Sequence, residues 1–177
     1  MKRNLFFLAT ILFSISIYSQ TEKVWRINIL NPAIELEIPT GENASLSTAL
    51  GIGYGGSYPR TSFGGGTGFR YSINPFLDLQ YKRFYNLEKR KNKNLSIENN
   101  SGNFISARLL IRGNTIKSNF SRTSIYDFSI GPTWGLQRKY GKNFHLLFDV
   151  GPIYYFDSNG KGNIFPIMLQ LNLGFDL

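Results

Sequence analysis

Along most of this chain apolar and polar residues alternate one by one, and the charges fall in the polar phase. Tyr126, Phe128, Ile130, Pro132, Trp134 and Leu136 share one phase, with Asp127, Ser129, Gly131, Thr133, Gly135 and Gln137 between them. Phe144, Leu146, Phe148, Val150, Pro152, Tyr154 and Phe156 repeat the pattern against His145, Asp149, Gly151, Tyr155 and Asp157. Shorter runs do the same: Leu46 to Tyr54 over Ser and Gly, Leu77-Leu79-Tyr81 against Asp78 and Lys82, Ile105 to Ile111 against Ser106, Arg108 and Arg112, and Ile167 to Leu177. A period of two is the period of a strand with unlike faces.

Gly, Asn and Pro clusters punctuate the runs. Short turns are expected at 40–43 and 140–143, and longer connections at 57–68, 86–103, 113–123 and 158–162. Asn31-Pro32 separates Trp25-Ile27-Ile29 from Ile34-Leu36-Ile38, because proline cannot donate to a ladder. Parity then asks for an ascending strand within 23–30, and the total is eight strands running up and down. The segment 86–103 is longer than a plain turn requires.

Alternation fixes two faces without saying which is inside; volume decides. An eight-stranded barrel has an interior just wide enough for side chains. The phase carrying Phe, Tyr, Trp, Leu and Ile is too bulky for it, whereas the Gly-, Ser- and Ala-rich phase fits. The apolar side therefore faces outward, and an apolar outer wall belongs in a bilayer. Aromatic residues near strand ends form two girdles: Tyr54, Tyr126, Tyr154, Phe156 and Phe165 at one rim, Trp25, Tyr81, Trp134, Phe144 and Phe175 at the other. The expected fold is an all-β, eight-stranded antiparallel up-and-down transmembrane β-barrel with a polar, side-chain-filled lumen.

Residues 1–20 are set apart from that fold. Lys2 and Arg3 precede an apolar run from Leu5 to Ile17 and a short polar end at Tyr18-Ser19-Gln20, the layout of a cleavable signal peptide. Residues 21–177 are then one barrel domain, with the C-terminus and the 40–43, 86–103 and 140–143 connections in the periplasm. The expected localisation is the cell outer membrane. With no cysteine, neither a disulfide nor a lipid-modified cysteine anchors the chain.

The net charge is +9, and +7 without Lys2 and Arg3. For an exported chain this favours lipid phosphates and periplasmic polymers over nucleic acid. Lys89, Arg90, Lys91 and Lys93 form a basic periplasmic turn. The lumen phase is expected to hold a charge network of Arg26, Glu35, Glu37, Asp78, Lys82, Arg108, Arg112, Asp127, His145 and Asp149. Charges so placed must pair or stay hydrated.

Candidate chemistry is sparse. His145 is the only histidine, so a transition-metal site is not expected and no cofactor is implied. Gly64-Gly65-Gly66-Thr67-Gly68 lacks the Gly-Lys-Ser/Thr ending of a phosphate loop. Gly51, Gly53 and Gly55 make room for a large lumenal side chain.

Asn31-Pro32 before Glu35 and Glu37, the segment 81–90 (YKRFYNLEKR) and Asn100-Ser101-Gly102-Asn103-Phe104 resemble the small outer-membrane β-barrel proteins of the Bacteroidota. The resemblance implies an eight-stranded barrel with no established activity. Gln170, Phe175 and Leu177 are similar to the terminal signal read by the barrel-assembly machinery, with Asn172 where that signal usually has glycine. The expected protein is a monomeric, non-enzymatic barrel in contact with membrane lipid and lipopolysaccharide. It has a structural or surface-interaction role; an outer-membrane lipid-modifying enzyme and a narrow channel are the alternatives.

Overall fold

The computed structural model describes residues 19–57, 70–120, 124–160 and 162–177; the expected signal segment up to Tyr18 and most of the 57–68 connection lie outside them. It is all-β. Nine strands follow one another: β1 (Val24–Asn28), β2 (Ala33–Gly41), β3 (Ala44–Ser57), β4 (Arg70–Phe84), β5 (Gly102–Arg112), β6 (Lys117–Ser118), β7 (Asp127–Tyr140), β8 (Phe144–Asp157) and β9 (Gly162–Asp176). Every pairing is antiparallel, and because β3 pairs with β4 while β1 pairs with β9, eight strands close into a ring. The two-residue β6 lies outside that ring, beside Ser72 and Ile73 of β4.

The ring follows the period-two code. Burial along β1 alternates, with Val24, Arg26 and Asn28 inside and Trp25 and Ile27 outside. On β7 Asp127, Ser129 and Thr133 are buried while Ile130 and Trp134 are exposed. The expected ascending strand within 23–30 is β1. Strand β4 begins at Arg70 and runs through Asn74-Pro75, with Pro75 facing out and Asn74 and Phe76 facing in.

Three features depart from the sequence pattern. Phe165 does not join the outer girdle, because β9 carries a bulge: Gly151 opposes Met168, and Ile153 opposes Phe165. One extra residue on β9 switches its phase, so Phe165 sits across from the inward-facing Ile153 and lines a cavity near the rim with it. Leu147 and Ile153, both apolar, are buried on the inner face of β8. Segment 86–103 is more than a polar turn, since it folds into α1 (Leu87–Lys91) and a 3₁₀ turn (Glu98–Asn100).

Inside, two apolar layers alternate with polar ones. Phe84, Leu87, Phe104 and Leu147 form one, with Phe84 and Phe104 edge to face at 5.7 Å between centroids. Ala33, Ala49, Phe76 and Leu110 form the other. Glycines give these rings their space: a Cβ on Gly135 would stand 2.4 Å from Phe104 Cζ, and one on Gly53 would stand 3.0 Å from the Phe76 ring.

Candidate functional site: the filled interior

Two ion-pair clusters stand at successive heights in the ring interior, and Asp127 lies nearer the far rim. At the end that carries α1, Arg26 is fully buried. Its guanidinium donates to Asp176 at 2.9 Å, to Glu35 at 3.1 Å and to Glu37. Lys82, also fully buried, stands 3.4 Å from Glu37 and 3.7 Å from Glu35 and donates to Gln137 Oε1 at 2.8 Å. Its ammonium lies 5.4 Å from the centre of the Phe104 ring. Ser45 and Ser47 donate to Glu37 and Glu35, and Asn28 donates to Glu35 at 2.8 Å. The cross-strand register explains the cluster, since Arg26 is directly opposite Glu35 and Lys82 directly opposite Ser45. In a medium of low dielectric such charges survive only with their remaining donors and acceptors satisfied.

One level up, Arg108 grips Asp78 through two bonds of 2.8 and 2.5 Å and lies 3.5 Å from Asp149. Gln80 bridges to Asp149, Ser106 and Thr133. Near the far rim Asp127 accepts from Ser124 at 3.0 Å and from the Tyr155 hydroxyl at 3.3 Å. Arg112, Ser129 and Tyr155 line a cavity there. The ten expected charges thus share one interior but not one network. Arg26, Glu35, Glu37 and Lys82 make one cluster, and Asp78, Arg108 and Asp149 a second.

His145 is buried with Nδ1 3.5 Å from Asp176, and neither ring nitrogen has a hydrogen-bond partner among the described residues. No group of three or more potential metal ligands occurs among those residues. Sequence reasoning missed Asp176, and it placed Gln137 and Gln80 in the polar phase without assigning them to the network they join. Asp176 was legible: Asn172, Gly174 and Asp176 continue the polar phase of the last strand.

The largest omission is the cap across the α1 end. The carbonyl of Asn99 accepts from Arg26 at 3.0 Å and from Gln137 at 3.2 Å, and its side chain donates to Asp176 at 2.8 Å. Asn99 and Asn100 have φ of 50° and 65°, a left-handed conformation that asparagine tolerates better than most residues. The Asn100 side chain is bonded to both backbone groups of Glu22, and Ser101 Oγ accepts from the Lys139 amide. Leu87 plugs into the apolar layer below. Thr21, before β1, adds to the seal by donating to the carbonyl of Ala44.

Lys89, Arg90, Lys91 and Lys93 lie on and just after α1, facing away from the interior. Arg90 is held by two bonds to the Ser96 carbonyl. The neighbouring aromatic belt is bonded too, since Trp134 Nε1 donates to the Tyr85 hydroxyl at 2.7 Å. No protein-family model, curated protein or solved structure matches this chain.

Proposed function

We propose that this chain is an integral outer-membrane β-barrel protein, related to the small barrels of the Bacteroidota, with a structural or surface-interaction role and a lumen closed to solute. The observation that carries the reading is the inversion of its polarity. Leu50, Ile34 and Leu169 on the outer wall are 66%, 60% and 65% exposed, while Arg26, Lys82 and Glu37 inside are fully buried. In water that arrangement would expose a continuous apolar surface far larger than monomers carry. In a bilayer the same surface is solvated, and closure of the ring pairs the backbone as hydrocarbon requires.

A plug rather than a pore is supported by the cap, the Phe104 layer and the two ion-pair clusters stacked along one axis. A non-catalytic role is supported by His145, which is buried beneath the cap with Nδ1 3.5 Å from Asp176, at the end away from the opposite rim. The +7 expected for residues 21–177 and the exposed Lys89, Lys91 and Lys93 suit contact with lipid phosphates or periplasmic polymers. The test is electrophoretic. Folded protein in mild detergent should migrate faster than the same sample after boiling; identical migration would overturn the reading.

A further inference from the structure

Among the described residues the ring closes fully only near the capped end. Strand β1 meets β9 through Arg26, Ile27 and Asn28, with two further bonds, from the Leu177 amide to the Trp25 carbonyl at 2.9 Å and from the Ile29 amide to the Leu173 carbonyl at 2.7 Å. Strand β2 meets β3 no higher than Ala33 opposite Gly51, with one further bond from the Ile52 amide to the Pro32 carbonyl. Above that level β9 is paired only with β8 and β3 only with β4 among the described residues. The β1–β2 hairpin is therefore too short, and its tip at Leu30 and Asn31 forms the sill of a side window in the wall. Strands β3 and β9 are three strand positions apart there, about 14 Å at the usual spacing. In an antiparallel ladder successive residues bond to opposite neighbours. Leu173 and Ile52 point their backbone groups at the hairpin, so Leu171 and Leu169 on one jamb and Tyr54 on the other point theirs into the window.

Behind the window lies a cavity of about 350 Å³, within the range of small-ligand sites. Leu30, Tyr54, Leu169 and Leu171 line its mouth, and its floor is mixed, with Phe76 and Leu110 beside the Asp78–Arg108 pair and Arg112. Gln170 also lines it, and the Gln170 side-chain oxygen is buried without a hydrogen-bond partner. A buried acceptor left unpaired costs free energy that a donor would recover. The apolar mouth opens sideways, toward the medium that bathes the outer wall.

We infer that this window is a lipid-binding site, taking an acyl amphiphile whose head bears hydrogen-bond-donating hydroxyls. The head donates to Gln170 Oε1. The first part of the chain packs on Phe76, Leu110 and Met168, and the remainder passes between β3 and β9 into the hydrocarbon. The inference rests on the membrane reading above, and the experiment separates the two. The full chain is placed in phosphatidylcholine vesicles containing a monoacylglycerol with a photoactivatable diazirine near its head, irradiated, and its labelled residues mapped by mass spectrometry. A parallel sample uses the methyl ester of the same acyl chain, which has no donor.

The expected result is labelling of Met168, Phe76 or Leu110 inside as well as Leu50 and Leu169 outside. Inner labelling should be about fivefold stronger with the hydroxylated probe, the worth of one hydrogen bond. Gln170→Leu should remove that difference while leaving outer labelling unchanged. Labelling of the outer wall alone would overturn the window and spare the membrane reading. Inner labelling equal for both probes and indifferent to Gln170→Leu would overturn the assigned head chemistry. Absence of label on the outer wall would overturn both.

Discussion

The two ends of the ring are built to opposite specifications. At the capped end, β1 and β2 are present as wall strands, every carboxylate of Glu35, Glu37 and Asp176 has a cationic partner, and a folded segment lies across the opening. At the far end the same two strands have stopped, the interior widens into cavities, and the acceptor of Gln170 is unpaired. The contrast shows where the fold concentrates its polar groups. Charges deep in the interior are tolerated because each is met by a partner, and the open end, where a cavity reaches the Asp78–Arg108 pair, is the one with room to receive something from outside.

The strongest test of the contrast attacks the saturated end. Arg26→Met leaves three buried carboxylates with only Lys82 to answer them, and breaking such a cluster typically costs about 3–5 kcal/mol. The heat-modifiable band should be lost or its melting midpoint fall sharply. Gln170→Leu at the open end removes an acceptor that has no partner and should leave stability at or slightly above that of the parent. Comparable losses at the two sites would erase the distinction.

A smaller effect is expected from Gly135→Ala. The added methyl meets Phe104 Cζ at 2.4 Å and the Phe148 carbonyl at 2.8 Å, an overpacking worth about 1–3 kcal/mol. Combining it with Phe104→Leu should recover part of the loss in urea or thermal titration, since one of the two obstacles is a side chain. A loss of about 1–2 kcal/mol is expected from Asn99→Ala, which removes the bond to Asp176 and places alanine at φ 50°. Planar-bilayer recordings of this variant should remain free of stepwise currents, because Arg26, Lys82, Gln137 and Phe104 still fill the bore beneath the cap. Steady conductance in Asn99→Ala would mean that the cap alone seals the ring.

Much of the wall was legible in the sequence. Side-chain direction in a strand alternates, so Arg26, Glu35, Lys82, Arg108 and Asp149 fall on one face by position alone. The eight wall strands and their order followed from alternation, turn residues and parity. What parity could not supply was where alternation breaks. The bulge that puts Phe165 on the same side as Ile153 is a local change of register, and the adjacent apolar pair Ile164 and Phe165 reads equally well in either phase. Leu147 and Ile153 were hidden for a related reason, being apolar residues in a polar phase.

The order of residues was enough to say which side chains share a face and, through their bulk, which face must turn outward, because both depend on backbone geometry and side-chain volume alone. The folded chain was needed to show which charges meet, that residues 86–103 fold back as a cap, and that β1 and β2 end early enough to leave a window. Those outcomes depend on register between strands far apart in the chain and on the packing of Leu87 and Asn99 against partners that no local pattern names.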